Sequence, residues 1–231
     1  MDFTYAYLTI STLLLLVWLF LYWKKPNSRK KMLLVSFFTA PLGLTEPLFV
    51  PSYWLPFTLF DLARRTRFDL ESLLFSFAVG GITTLFYEVI WSKSRKPETP
   101  HEMSDGRHRL HRLALLSPIA VFGLLYFFTS LNPIYSASIA MVVGAIATGF
   151  CRPDLFKAML VGSLLFLSLY FVVFLVGIVL PFPGYVQAVW NLNALSGFLI
   201  AGVPIEELLW AASLGAMWSS IYEHFTWYKF A

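Results

Sequence analysis

Long apolar segments separated by short charged ones constrain the fold of this chain more than any other feature. Apolar residues make up 58% of the 231 residues and charged residues only 13%, whereas a soluble domain has about 25% charged residues. A membrane-spanning helix needs about 20 predominantly apolar residues. The pattern predicts an all-α integral membrane protein with seven transmembrane helices, at roughly residues 5–23, 32–50, 68–91, 113–129, 133–150, 155–180 and 203–227.

Lysine and arginine are concentrated in alternate connecting segments. Fourteen of the 17 basic residues follow helices 1, 3, 5 and 7, and the other three lie at positions 64–67. Because cytoplasmic loops are rich in Lys and Arg, we expect the N-terminus outside and the C-terminus inside, in the cytoplasmic membrane of a prokaryote. Two connecting segments, residues 57–65 and 193–202, are expected to lie along or re-enter the membrane interface.

Two of the predicted helices carry the same pattern of residues. A single constant shift along the chain aligns Glu71 with Glu206, Gly80 with Gly215, and Glu88 with Glu223. The preceding connectors also match, with Pro51-Ser52-Tyr53 against Pro183-Gly184-Tyr185. This predicts a parallel internal repeat of three helices (1–3 and 5–7) joined by linking helix 4. The corresponding segments are residues 1–92, residues 93–131 with the polar cytoplasmic loop, and residues 132–231.

Glutamates inside these apolar helices are the candidate functional residues. Glu206, Glu207, Glu71 and Glu46 are all expected near the outer ends of helices, and ionisable residues within the membrane are costly and usually functional. The alternative is that they stabilise helix N-termini, as expected of Asp69. Consecutive helical residues project about 100° apart, so Glu206 and Glu207 cannot both cap one helix.

For three glutamates, one of them Glu46, a structural role is a stronger alternative. Glu46 precedes Pro47, which frees a backbone carbonyl, so a helix kink and an acidic site are both open there. Glu88 and Glu223 lie at the cytoplasmic ends of their helices and are expected to anchor the chain at the interface.

Several carboxyl groups in a site of low dielectric favour acid–base chemistry. One of them keeps its proton near pH 7, because burial and like-charge repulsion disfavour a second charge. Such an acid can protonate an alkene, and its partner can later remove a proton from the carbocation. Aromatic faces can stabilise the cation, although packing and interfacial positions are the alternative for each one. The candidates for substrate binding are Trp210, Trp218, Phe75, Tyr53, Trp54 and Tyr222.

Other chemistries lack the necessary residues. His101, His108 and His111 are in the polar loop and His224 is at an interface, so neither a metal site nor a Ser-His-Asp triad is expected. Cys151 is the single cysteine, which excludes an internal disulfide. The sequence contains no glycine-rich nucleotide motif and no lysine in the central part of a predicted helix that could form a Schiff base. No cofactor and no nucleic-acid partner are predicted.

Three motifs resemble the lycopene cyclase domain family of small membrane carotenoid cyclases. They are PLGLTEPLFVPSYW at 41–54, FDLESLLF at 68–75 and PIEELLW at 204–210. The resemblance implies cyclisation of the ends of lycopene, or of a related linear carotene, to ionone rings without net redox change. It also places Glu206 and Glu207 at the functional motif. We expect one of these two to be the proton donor, with Glu71 and Glu46 as partner carboxylates that act as base or cation stabiliser.

The binding partners follow from this interpretation, and a non-enzymatic function stays open as the alternative. The expected partners are a carotene dissolved in the bilayer and the membrane lipids, with a homo-oligomer as a possible assembly. The first repeat departs from the motif, because residues 69–72 contain one glutamate and no proline. A non-enzymatic lipid or carotenoid carrier, or a proton-coupled transporter, could use the same acidic residues, and product formation distinguishes these functions.

Overall fold

A computed structural model describes residues 3–91 and 95–230, and it is mostly helical. The predicted boundary between residues 92 and 93 lies outside the described residues. The α-helices are α1 (Ala6–Lys24), α2 (Arg29–Thr39), α3 (Leu62–Thr66), α4 (Leu70–Thr83), α5 (Phe86–Trp91), α6 (Pro100–Met103), α7 (His111–Phe128), α8 (Pro133–Cys151), α9 (Phe156–Phe174), α10 (Tyr185–Val189), α11 (Ile205–Trp218) and α12 (Ile221–Thr226).

Among the described residues, four helical segments are long and apolar enough to cross a membrane. They are Ala6–Lys24, Gly106–Phe128, Pro133–Cys151 and Pro153–Val179, which supports a membrane protein. The other three predicted helices are interrupted. In the helix predicted at residues 32–50, α2 is followed by a 3₁₀ segment at Ala40–Leu48, which contains Pro41 and Pro47. The predicted helices 68–91 and 203–227 are each divided into two α-helices.

Several helices of the first half have a counterpart of the same length later in the chain, at a nearly constant offset. α4 and α11 each have 14 residues and begin at 70 and 205, and α5 and α12 each have six and begin at 86 and 221. Both pairs therefore show the same displacement along the chain as the aligned residues Glu71 and Glu206. α1 and α8 likewise have 19 residues each, beginning at 6 and 133, and each is followed by a proline-initiated 3₁₀ turn.

The paired glycines of α4 and α11 lie where neighbouring helices approach closely. A Cβ on Gly80 would collide with the side chain of Thr39 in α2. A Cβ on Gly215 would lie 2.6 Å from the carbonyl oxygen of Gly162 in α9. Small residues allow this close backbone approach in membrane proteins, so the same position serves the same packing purpose in both helices.

The structure also contains short β-strands, which the prediction of an all-α fold did not include. β1 (Arg95–Pro97) pairs with β4 (Tyr228–Phe230) in an antiparallel sheet, and β2 (Leu199–Ile200) pairs with β3 (Val203–Pro204). The turn between β2 and β3 contains Ala201 and Gly202, both with positive φ. Strands of two or three residues are too short to show a sequence periodicity, and β1 and β4 are far apart in the chain, so hydropathy did not predict either sheet.

The described chain divides into two compact units. Unit 1 contains residues 1–82, 132–134 and 168–209, and unit 2 contains residues 83–131, 135–167 and 210–231. All the acidic candidates at 46, 71, 206 and 207 belong to unit 1. The polar loop and the C-terminal strand β4 belong to unit 2.

A buried arginine ties the polar loop into unit 2. Arg152 is completely buried and pairs with Glu98 (Nη2–Oε1 3.1 Å) and with both oxygens of Asp154 (2.9 and 2.7 Å). It also donates hydrogen bonds to the carbonyls of Glu223 and Tyr228, at 3.3 and 2.8 Å. One guanidinium therefore joins the loop, the end of α8, α12 and β4.

Replacing Arg152 with Ala is expected to lower the free energy of unfolding by about 3–5 kcal/mol, because it leaves the carboxylate of Glu98 buried without its cation. Thermal unfolding of detergent-purified protein measures the effect. Arg107→Ala is the matched control, since Arg107 is exposed and pairs with Asp105 on the surface, where a salt bridge contributes about 0–1 kcal/mol. Equal midpoints for the two variants would contradict this assignment.

Candidate functional site

Two interhelical connectors of unit 1 pair through their backbones and present their side chains to the same carboxyl group. The N–H of Leu55 donates to the carbonyl of Val189, and the N–H of Asn191 donates to the carbonyl of Tyr53, each at 2.9 Å. Trp54 and Trp190 form the bridge between these hydrogen bonds. This pairing fixes Tyr53 and Trp190 beside each other.

Glu207, in the first turn of α11, accepts hydrogen bonds from three buried aromatic side chains. The hydroxyl of Tyr53 and the indole N–H of Trp190 (3.0 Å) both donate to Oε1, and the hydroxyl of Tyr170 donates to Oε2 at 2.5 Å. A separation of about 2.5–2.7 Å is typical of a hydroxyl bound to a charged carboxylate. Three donors at one carboxyl group favour its ionised form.

Glu46, in the 3₁₀ segment after α2, has a much poorer set of hydrogen-bond partners. Its Oε2 accepts a hydrogen bond from Ser72 at 3.0 Å, and the hydroxyl of Tyr7 lies 2.9 Å from the same serine oxygen. The Trp54 indole also interacts with the carboxyl group. Its Oε1 is buried and has no hydrogen-bond partner within residues 3–91 and 95–230. Such an environment favours a neutral carboxylic acid, which places no charge on the unpartnered oxygen.

Six aromatic rings form a closed cycle of contacts, and two of them, Tyr170 and Trp190, bind Glu207. Successive ring centroids are 4.8–6.2 Å apart around the cycle, which consists of Tyr7, Trp54, Trp190, Phe174, Tyr170 and Phe75. Aromatic faces attract cations, most strongly away from water. The arrangement combines an acid, a carboxylate and surfaces that can stabilise positive charge.

Glu71 and Glu206 occupy equivalent positions and make equivalent contacts. Oε1 of Glu71 accepts the backbone N–H of Leu59 at 2.7 Å, and Oε1 of Glu206 accepts the backbone N–H of Ser196 at 2.9 Å. Each glutamate therefore holds the connector that precedes its own helix. Asp69 accepts the N–H of Ser72 at 2.6 Å, which confirms the predicted helix cap.

Glu71→Ala and Glu206→Ala are each expected to destabilise the protein by about 1.5–3 kcal/mol, because each removes a charged acceptor from a backbone N–H. Glu71→Gln and Glu206→Gln retain an acceptor oxygen and should lose less. Thermal unfolding measures stability, and the turnover of folded protein measures function. A folded Glu71→Gln variant with no turnover would show that Glu71 takes part in the chemistry.

The structure separates the predicted aromatic candidates into two groups. Phe75 and Trp54 belong to the aromatic cycle and Tyr53 binds Glu207, whereas Trp210, Trp218 and Tyr222 belong to unit 2. Glu88 pairs with Arg95 at 3.2 Å in the same unit, which supports a structural role for this glutamate.

Four residues of the cycle escaped the sequence analysis. Tyr7, Tyr170, Phe174 and Trp190 resemble the many other aromatics of this chain, of which 18% is Phe, Trp or Tyr. The one available signal was the pair of tyrosine hydroxyls within α1 and α9, because a buried hydroxyl in an apolar helix needs a partner.

Comparison with known proteins supports one family. Residues 132–225 match the sequence model described as lycopene cyclase. The matched range includes the motif at 204–210 and excludes both first-repeat motifs, at 41–54 and 68–75. No curated protein and no solved structure matches the chain.

Proposed function

We propose, from the match of residues 132–225 to the lycopene cyclase family, that the protein is a membrane lycopene cyclase, in agreement with the resemblance of its motifs. It cyclises one or both ends of lycopene, or of a related linear carotene, without net redox change. The observation that carries the proposal is the pair of differently bonded carboxyl groups, Glu46 and Glu207, which both contact members of one cycle of aromatic rings. Both groups and the cycle lie in unit 1.

We assign the proton donor to Glu46 and the carboxylate to Glu207. The poorly bonded carboxyl of Glu46 suits a neutral acid, and the three donors around Glu207 suit an anion. This changes the expectation from the motif alone, which gave the proton donor to Glu206 or Glu207. Glu71 and Glu206 hold the connectors that shape the site.

In each cyclisation the carotene gains one proton and loses one proton. Glu46 adds its proton to a terminal double bond of the carotene, and a second double bond of the same chain attacks the cation, which closes the ring. The aromatic cycle and the carboxylate of Glu207 stabilise the positive charge. Glu207 then removes a proton from the ring cation. The product is an isomer of the substrate, and before the next turnover Glu207 releases its proton to solvent and Glu46 takes a new proton from solvent.

The architecture we propose is the predicted bundle of seven membrane helices with two equivalent halves. The recurring lengths and starting positions of α4, α5, α11 and α12 support a duplication. The asymmetry between the halves is chemical, because Ser72 occupies the position equivalent to Glu207. The substrate enters from the bilayer, and the N-terminus is outside.

Expression in a lycopene-accumulating bacterium tests the function. We expect lycopene to be replaced by cyclic carotenes in cells that carry the wild-type protein, and to persist in cells that carry Glu207→Gln. Retained lycopene with wild-type protein present in the membrane would contradict cyclase activity on this substrate. Unchanged lycopene copurifying with the protein would instead support a carrier.

A further inference from the structure

Two histidines and the single cysteine converge in unit 2. His108 lies in the 3₁₀ turn Gly106–Leu110, His111 begins α7, and Cys151 ends α8. Nδ1 of His108 is 3.4 Å from the sulfur of Cys151, and Nδ1 of His111 is 3.5 Å from it. The three potential ligand atoms all lie within 4.8 Å of one another. No motif spacing could predict this cluster, because the whole of α7 and most of α8 separate Cys151 from the nearer histidine in the sequence.

The two sulfur–nitrogen distances match those of a tetrahedral metal centre. A Zn²⁺ ion binds sulfur at about 2.3 Å and nitrogen at about 2.0–2.1 Å, which separates sulfur and nitrogen ligands by about 3.5 Å at a tetrahedral angle. A thiol has a single hydrogen and can donate it to only one acceptor. The sulfur can at best donate to one imidazole and accept weakly from the other, whereas a shared ion would take both nitrogens and the thiolate as ligands at once.

The surroundings of the three side chains are those of a built site. His111 and Cys151 are buried, and the indole of Trp227 stacks on the His111 ring at 4.0 Å and meets His108 edge-on at 5.0 Å. His224 is fully buried and contacts His111 with a ring separation of 4.5 Å. Its Nε2 has no hydrogen-bond partner in the described part of the chain.

Charge near the cluster is balanced. Arg152 follows Cys151 directly, and its guanidinium is neutralised by Glu98 and Asp154. A divalent cation bound by one thiolate and two neutral imidazoles would therefore not face an uncompensated arginine. Binding releases the thiol proton, as at other thiolate–metal centres.

We propose that His108, His111 and Cys151 bind one divalent transition-metal ion of the Zn²⁺ class, with water or His224 in the fourth position. The ion joins the 3₁₀ turn of the polar loop to the ends of α7 and α8. Its role is to hold the loop against the helices, because metal affinity for a folded site adds to folding stability.

Cobalt titration tests the site directly. The full-length protein is purified in detergent with a tag that contains no histidine, stripped with a chelator, and titrated with Co²⁺. We expect thiolate-to-cobalt charge-transfer absorption that saturates at one equivalent, together with a higher midpoint of thermal unfolding. Zn²⁺ should displace the cobalt signal. Wild-type protein that gives no charge-transfer band would overturn the proposal.

Variants assign the signal to the three ligands. Cys151→Ser should remove the charge-transfer band. His108→Asn and His111→Asn should each weaken metal binding by more than roughly 10- to 100-fold, which is the usual cost of losing a residue that only hydrogen-bonds to a metal ligand. His101→Asn is the matched control, because His101 is an exposed loop histidine outside the cluster. Equal loss in His101→Asn, or a band that persists in Cys151→Ser, would overturn the assignment.

Discussion

Replacing Glu207 with Gln is expected to reduce carotene cyclisation by about 10²- to 10³-fold, the usual cost of losing a group that stabilises transition-state charge. The substitution removes the negative charge that faces the carbocation. It also places an amide opposite three hydrogen-bond donors, so that at least one donor loses its acceptor. Initial rates of product formation by purified protein in lipid nanodiscs, measured by chromatography of extracted pigments, give the effect.

The adjacent Glu206→Gln variant is the comparison. Glu206 sits in the same helical turn but binds the Ser196 backbone, so its turnover should fall by no more than about tenfold, through misplacement of the connector. Tyr170→Phe removes one donor from Glu207 and should give an intermediate loss. If Glu206→Gln abolished cyclisation while Glu207→Gln remained active, the assignment of the two neighbouring carboxylates would be reversed.

Replacing Glu46 with Gln is expected to cause the second large loss, about 10²- to 10⁴-fold, because a glutamine side chain cannot supply the proton that begins the reaction. Glu46→Asp keeps an acid at this position and should retain measurable turnover despite its shorter side chain. The same nanodisc assay measures both variants, and near-ultraviolet circular dichroism confirms that the aromatic packing is unchanged.

Ser72→Ala removes a hydrogen-bond partner of the Glu46 carboxyl group and leaves the acid itself in place. It removes the bond to Oε2 of Glu46 and the contact with Tyr7 without removing the proton itself, so the loss should be smaller than that of Glu46→Gln. Wild-type rates in Glu46→Gln would contradict its role as the proton donor.

Hydropathy identified the apolar segments of this chain. Four helical segments in the described part of the chain are long enough to cross a membrane, whereas the other three predicted helices are interrupted. The recurrence of the Glu71 pattern at Glu206 anticipated the matched boundaries of α4 and α11. The interruptions after Thr83 and Trp218 were not predicted, because both helices continue through apolar or small residues without a proline or charge to indicate a break.

The arrangement of the site was less accessible to sequence analysis. The four candidate glutamates were identified from the cost of placing charge in an apolar helix, but their hydrogen-bond partners depend on tertiary structure. Tyr53 reaches Glu207 because its connector pairs with Asn191, and these two connector positions lie in opposite halves of the chain. The convergence of His111 and Cys151 has the same origin, because loop histidines carry no periodic signal that would place them beside a helix end.

Proton incorporation from solvent tests the central claim most directly. Purified protein is supplied with lycopene in buffer made with D₂O, and the cyclic product is examined by mass spectrometry. Acid-initiated ring closure predicts a product that is an isomer of lycopene and carries one deuterium for each ring formed. A cyclic product without deuterium would contradict protonation by Glu46, and recovery of lycopene alone would contradict the cyclase function.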